Sequence, residues 1–393
     1  MEDDANIFTQ LLKLLETVNF LPFVSKLPHN ELERFLHMAE KRLVRIQLEI
    51  GHIRAVLEAC RKRGVASLSQ VSCCELLPCN IRAPSAQLLL LGELLPNLQQ
   101  LKMLEVMPQA VPQNLRQLTV LQLHKATSQA VLEQIFDNCP QLQQLQLCND
   151  TALHSRLDIR NIHNCRQLRK LQLPLLLHSA LSLCQLQQLQ HLSLQHKHLW
   201  PGSDWLPIIR DIIAAKRHEL RSLIIDGTWL PITLQLASLR LQSCWALTEL
   251  LISNCKLSDQ YKNGSVLPLS LQRLSFKHCQ LLQPLCYLRY TVTLQTLELH
   301  GCQLLAGQGQ LLQQLLQLRK RLPTIEPLTL QFSESTPLRS EFTSLSRARL
   351  EYFSEWLRVQ ELHESALIWQ QQPGMVSMIF GNPITGVPQL ELK

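Results

Sequence analysis

The chain has 393 residues, of which 38 are Lys or Arg and 31 are Asp or Glu, so the formal net charge is +7. Charged residues make up only 18% of the chain, and no stripe of basic and aromatic residues accompanies the excess of base, so we expect no nucleic-acid partner. No apolar run reaches the roughly 18 residues of a membrane span, so we expect no membrane partner.

The first residues and the cysteines indicate a cellular compartment. The chain opens MEDDANIF, with acidic residues where a secretory signal needs basic ones. The 13 cysteines, an odd number, are typical of free thiols in a reducing environment. We therefore expect a cytoplasmic or nuclear protein.

Residues 1–66 predict a helical head. Apolar residues follow helical spacing up to Val18 and again from Leu32 to Leu57. Basic residues at 61–63, just before Gly64, suit a helix C-terminus. The simplest role for such a head is to cap the exposed edge of the next domain.

Residues 67–97 predict an irregular entry segment or an early degenerate repeat. They contain Cys73, Cys74 and Cys79. Zinc ligands come as closely spaced cysteine pairs with a second pair further on, and this spacing differs, so no metal site is predicted here.

Residues 98–335 repeat the motif L-x-x-L-x-L about ten times, at steps of 20 to 31 residues. This period predicts an α/β leucine-rich-repeat solenoid, or horseshoe, in which each unit buries its leucines against the next. The copies begin at Leu98, Leu118, Leu142, Leu168, Leu189, Leu220, Leu247, Leu271, Leu294 and Ile325.

The leucines alternate within each copy, which predicts a short strand with one buried face. The intervening side chains face the other way, towards the predicted concave surface. In the seven copies from Leu142 to Leu294, the fifth position is therefore a candidate contact for a partner protein: Gln146, Gln172, Ser193, Ile224, Leu251, Ser275 and Glu298. We predict a polar, weakly charged face with an apolar spot at Ile224 and Leu251.

Cysteines recur at fixed places in the repeat. Cys255, Cys279 and Cys302 take the ninth position of three consecutive copies. A small, weakly donating thiol suits an inward-facing turn, so we predict that these three are buried and unpaired. A second set lies three residues before the first leucine, and we expect it also to be structural: Cys139, Cys165 and Cys244.

Two further helices are predicted. Residues 200–218 interrupt the repeat with an amphipathic segment, read as a longer helix on the convex side or as a functional insert. Residues 336–393 are predicted as a helical cap, with apolar residues at Leu350, Phe353 and Leu357, followed by a tail from 373 that is rich in Gly and Pro.

The cysteine pattern resembles the cysteine-containing repeats of F-box/leucine-rich-repeat proteins. LPHNELERFL, residues 27–36, is similar to the opening of an F-box, and Cys60 with its basic neighbours matches part of a later F-box stretch whose tryptophan is absent here. The resemblance implies docking to the Skp adaptor of SCF ubiquitin ligases through Leu27, Pro28, Leu32, Phe35 and Leu36.

Catalytic motifs are missing from the sequence. It has no phosphate-binding loop, no nucleophile elbow and no H-E-x-x-H pair. We therefore predict a non-catalytic adaptor without catalytic residues, cofactor or metal. Its most specific form is the substrate-recognition subunit of an SCF-type ligase, with a protein client on the concave face. The alternative is a free-standing repeat scaffold unconnected to ubiquitin.

Overall fold

The computed structural model describes residues 45–62, 64–77, 84–103, 115–124, 128–147, 157–174, 179–195, 205–227, 232–258, 266–281, 291, 293–304, 328–333 and 357–362. The chain forms two compact units, Met1–Glu219 and Leu220–Lys393.

The first unit is built on parallel strands, each pairing with the next along the chain. Each strand carries alternating apolar residues, as the repeat predicts. The strands are β1 (Arg45–Glu49), β2 (Cys73–Leu77), β3 (Gln100–Met103), β4 (Val120–Leu123), β5 (Gln144–Leu147), β6 (Lys170–Pro174) and β7 (His191–Gln195).

Helices return the chain between these strands. In the described residues four α-helices return the chain: α1 (Ile53–Lys62), α2 (Pro84–Leu94), α3 (Gln129–Asn138) and α4 (Trp205–Ala215). A short 3-10 turn, Ile50–His52, precedes α1, and two longer 3-10 helices, Arg160–Asn164 and then Ala180–Gln185, lie between α3 and α4. The Ser128 side chain caps α3 by accepting from the Val131 N–H. α1 packs against α2, and α4 against the second of the longer 3-10 helices. The helix predicted within 200–218 is therefore confirmed over α4.

The second unit contains two sheets. Its strands in chain order are β8 (Ser222–Asp226), β9 (Ile232–Leu234), β10 (Glu249–Ser253), β11 (Cys255–Leu257), β12 (Arg273–Lys277), β13 (Gln280–Leu281), β14 (Thr296–His300), β15 (Gln303–Leu304), β16 (Leu328–Ser333) and β17 (Leu357–Leu362). The longer sheet pairs β8, β10, β12, β14, β16 and β17 in that order, all parallel. The shorter sheet pairs β9, β11, β13 and β15, also parallel.

The leucines of the repeat form the core. In the copy that contains β10, Leu247, Leu250 and Ile252 are at most 1% exposed, and Leu297 in β14 is fully buried. Burying one such side chain stabilises the fold by about 1.5–3 kcal/mol. The parallel strands and buried leucines establish a leucine-rich-repeat-like architecture. The horseshoe shape and the predicted domain limits (1–66, 67–97, 98–335, 336–393) stay predictions.

Two sequence predictions need correction. Residues 45–49 form β1 inside the predicted helical head, and 357–362 form β17 inside the predicted helical cap. Of the two predictions for residues 67–97, the early repeat agrees with the structure, because they hold β2 and α2. The head before residue 45, and the cap at 336–356 and after 362, lie outside the described residues.

The register of the last predicted copy is also different. The sequence placed its first leucine position at Ile325, which makes Leu328 the fourth position. Instead, Leu330 pairs with Leu297, the fourth position of the preceding copy. The true register is therefore shifted by two residues.

Candidate functional site

The fifth positions of the repeats form one row across neighbouring strands, here called the fifth-position row. In the first unit, from β2 onward, it runs through Glu75, Lys102, Gln122, Gln146, Gln172 and Ser193, which lie in register on β2 to β7. Glu75, Lys102 and Gln172 are half-buried, and Gln122, Gln146 and Ser193 are buried. Adjacent strands lie about 4.8 Å apart, so the three glutamines form an uncharged, closely packed series.

In the second unit the same row runs through Ile224, Leu251, Ser275 and Glu298 on β8, β10, β12 and β14. Ile224 and Leu251 are half-buried, which places the predicted apolar spot side by side on adjacent strands. Ser275 and Glu298 are each only 2% exposed.

Four of the predicted contact residues are buried: Gln146, Ser193, Ser275 and Glu298. The reason in the second unit is crowding from flanking positions. The short Ser275 side chain lies between Leu251 and Glu298 in the row and between Arg273 and Lys277 along its strand. Whether the row binds a protein stays a prediction.

Five neighbouring side chains on β12 and β14 are here called the Glu298 cluster: Arg273, Ser275, Lys277, Glu298 and His300. Nε and Nη2 of Arg273 both donate to Glu298 Oε1, at 2.6 Å and 2.5 Å. His300 Nε2 lies 3.6 Å from the other carboxylate oxygen. The Arg273 side chain is 51% exposed while that of Glu298 is 3% exposed, so the arginine links a buried carboxylate to the surface.

The surroundings of Glu298 keep it ionised. Burial alone would raise the pKa of this carboxyl, but the His300 contact and the Arg273 charge together lower the pKa to about 2. Burial, aided by the Arg273 charge, lowers the pKa of Lys277, and the Glu298 charge opposes that shift. Glu298 is thus a fixed negative charge facing several basic groups.

Two buried polar atoms of the cluster lack a hydrogen bond of ordinary length to any described residue: Ser275 Oγ and His300 Nδ1. Ser275 lies near enough to Glu298 to help lower its pKa, but its hydroxyl makes no hydrogen bond within 3.5 Å. Buried polar groups are nearly always paired, so these two atoms mark an unusual position in the fold.

A cysteine lies two residues after the end of each of the strands β10, β12 and β14. Cys255, Cys279 and Cys302 are buried and form no disulfide, as predicted. The Cys302 thiol donates to the Phe276 carbonyl at 3.2 Å, and the Cys279 thiol to the Ile252 carbonyl at 3.4 Å. These two thiols therefore contact the preceding repeat, whereas the Cys255 thiol donates to the Ser253 carbonyl of its own repeat.

These thiols are unsuited to nucleophilic chemistry. Burial raises the pKa of Cys279 to about 11 and that of Cys302 to about 12. The second cysteine set is also buried, and burial raises the pKa of Cys139 and Cys165 to about 12 each. Thiolates are the reactive form, so both sets are structural.

The eighth position of these repeats needs an unusual backbone. Asn254 and His278 adopt φ of 55° and 51°, and Gly301 adopts φ of 60°. The His278 ring lies over Gly301, where a side chain would collide with it. The left-handed turn lets the Asn254 and His278 N–H groups extend the backbone ladder to Lys277 and His300 before the chain enters the short sheet.

Other predicted sites are not brought together. The adaptor-binding residues predicted at 27–36 lie outside the described residues. Within the described part of the chain, no group of three or more His, Cys, Asp or Glu residues could hold a metal ion. None of the described helices combines the length and apolar character needed to cross a membrane.

Sequence reasoning missed Arg273, which takes the third position of its repeat rather than the fifth. The available signal was Arg-x-Ser-x-Lys at 273–277, followed one repeat later by Glu-x-His at 298–300. Alternate residues share a face, so these five belong together once the register is fixed.

Comparison with known proteins adds little to this description. No family model and no curated protein matches the chain. Among solved structures, a leucine-rich-repeat protein of Leptospira interrogans is similar at 14% identity and a TM-score of 0.30, over 76% of this chain and 92% of that one. The repeat architecture described here rests on the strands and leucines of this chain.

Proposed function

We propose that this protein is a non-catalytic scaffold that binds a partner protein on the fifth-position row of its second unit. The observation that supports this is the register of the row, which sets Ile224 and Leu251 beside the Glu298 cluster. Half-buried apolar side chains next to charged ones are a common composition for a protein interface. The proposal places the protein in the cytoplasm or nucleus.

A photo-crosslinking amino acid at Leu251 tests this. In cells, we expect one dominant protein adduct from Leu251 that also forms from Ile224. The matched control is Gln242, an exposed residue on the return segment of the same repeat. Equal adducts from Gln242, or none from Leu251, would contradict binding on this row.

A more specific proposal is that the scaffold is the substrate-recognition subunit of an SCF-type ubiquitin ligase. The support is the sequence similarity of residues 27–36 to an F-box opening. In this proposal Leu27, Pro28, Leu32, Phe35 and Leu36 contact the Skp adaptor, and the client lies on the fifth-position row.

A specific observation favours the other candidate, a free-standing scaffold. Cys60, which carried the later part of the F-box resemblance, is fully buried within α1. α1 follows β1 and packs against α2, so it belongs to a repeat rather than to a separate head. Any adaptor motif must therefore lie before residue 45.

Replacing Leu32 and Leu36 together with Asp separates the two candidates. An SCF subunit would co-purify with the Skp adaptor and lose it in this double variant, while Glu33→Gln in the same segment would keep it. A free-standing scaffold would not co-purify with the adaptor in any of these forms. Deleting residues 27–63 is a poorer test, because it also removes β1 and α1.

A further inference from the structure

Within the Glu298 cluster, Arg273 and Lys277 both face the Glu298 carboxylate, and Glu249 on β10 lies in register with Arg273. We propose that Arg273, Ser275 and Lys277 form a binding site for the carboxylate of an acidic segment of the partner protein. This inference rests on the proposed function, because it names the chemistry of the partner.

The two long side chains are spaced to hold one anionic group. Arg273 and Lys277 lie on the same face of β12, each two residues from Ser275. In a parallel strand, two residues rise about 6.6 Å. A carboxylate above Ser275 would therefore meet one basic side chain on each side.

Arg273 keeps donors for this task. Its Nε and Nη2 atoms both contact the same oxygen of Glu298. A guanidinium has five N–H donors, so the half-exposed side chain can bind a second anion while its contact to Glu298 persists.

The base of the site supplies an unpaired hydroxyl. Ser275 Oγ is buried without a hydrogen-bond partner among the described residues. The hydroxyl can donate to a ligand oxygen, and because an unmade hydrogen bond of a buried group is unfavourable, a ligand that reaches it gains that energy.

Among the described residues of the first unit this arrangement does not recur. The row there carries glutamines on β4 to β6, and Lys102 is neutralised by Glu75 at 3.2 Å. Lys170, exposed at the third position of its repeat, has the same strand setting as Arg273 but an uncharged neighbour, Gln172, in the row. Lys170 therefore serves as a matched control.

Binding of a fluorescein-labelled hexaglutamate peptide to the full-length protein, followed by anisotropy at low salt, tests the site. Lys277→Met should weaken binding about tenfold, Ser275→Ala a fewfold, and Lys170→Met not at all; a hexalysine peptide should not bind. Arg273→Met should also weaken binding but removes the partner of Glu298. Lys277→Met and Ser275→Ala leave that ion pair intact and keep the test decisive if Arg273→Met does not fold.

Three outcomes would overturn the inference. The first is hexaglutamate binding that Lys277→Met leaves unchanged. The second is an equal loss in Lys170→Met, which would indicate general charge attraction. The third is displacement of the peptide by inorganic phosphate at concentrations well below those of acetate, which would assign the site to phosphate. Failure of the Leu251 cross-link with peptide binding intact would instead remove the proposed function and leave the anion site.

Discussion

The two units share one kind of strand but differ in how the chain leaves it. In the first unit, α-helices and 3-10 helices return the chain, and α3 buries Val131, Leu132, Ile135 and Phe136. In the second unit the described return between β9 and β10 consists of two 3-10 helices, Leu236–Leu239 and Leu241–Ser243, and a second parallel sheet lies beside the cysteine turns.

This difference follows from the residues just after each strand. Cys255, Cys279 and Cys302 are each followed by x-Leu, and those tripeptides lead into or form the strands of the short sheet. The same region carries the Glu298 cluster, whereas the row of the first unit carries glutamines on β4 to β6. Repeats with equivalent leucines can thus carry different surfaces, because leucine determines only the buried face.

The largest expected effect comes from truncating that buried face. Leu250→Ala in the second unit and Leu145→Ala in the first should each lower the free energy of unfolding by about 2–5 kcal/mol. We expect hydrogen exchange, read by mass spectrometry, to rise mainly in the unit that carries the substitution and to spread to adjacent repeats. An equal rise in both units after either change would show that they unfold as one body.

The next effect concerns Glu298, whose folded pKa of about 2 lies below its ordinary value of 4.5. A lowered pKa stabilises the fold above pH 4.5, and this contribution is lost as the pH falls from there towards 2. At about 1.4 kcal/mol per pKa unit, Glu298→Gln should cost up to about 3 kcal/mol at pH 7 and progressively less below pH 4.5.

Urea denaturation from pH 7 to pH 3.5 measures this dependence. Glu249→Gln, which removes an exposed carboxylate on β10, is the control for the same chemical change at a surface position. A constant cost of Glu298→Gln at every pH would show that its carboxylate is not stabilised as described.

A smaller effect is expected at the left-handed turns that distinguish the second unit. Gly301→Ala should cost at least about 1–2 kcal/mol, the penalty for a side chain in this backbone region, because its Cβ would also meet the His278 ring. In a His278→Gly background only the backbone penalty should remain. Thermal melts of the four proteins in this cycle test it, and identical costs in both backgrounds would exclude the ring as the obstacle.

The smallest expected effect is on the rate at which cysteine thiols are alkylated, and it leaves stability unchanged. Cys73 is half-buried in the first unit, whereas Cys279 and Cys302 are buried with raised pKa values. Alkylation of the native protein by iodoacetamide should therefore modify Cys73 well before the two turn cysteines, as followed by peptide mass spectrometry. Early modification of Cys279 would show that the turns open easily.

Much of the fold was predictable because each leucine triplet identifies its own strand. The last copy was not, because Leu328, Leu330 and Phe332 alternate equally well in registers two residues apart. Pairing with β14 fixes the register, and that is a tertiary interaction. In β17, Glu361 takes the sixth position opposite Phe332, so the apolar signal is broken there.

The strand β1 was hidden by a coincidence of spacing. Ile46, Ile50, Ile53 and Leu57 are spaced as on one helix face, while Ile46, Leu48 and Ile50 alternate as in a strand. The short sheet could have been predicted from the recurring Cys-x-Leu tripeptides. Burial of the fifth-position row could not be predicted from the sequence, because it depends on side chains from neighbouring strands.

The thiols that donate across repeats also make the stack observable by spectroscopy. The Cys302 and Cys279 thiols each donate to a carbonyl of the preceding repeat. An S–H group absorbs in an infrared window free of other protein bands, and its frequency falls when it donates a hydrogen bond. The second unit therefore carries built-in vibrational reporters at two successive junctions, which can register the parting of neighbouring repeats without any added label.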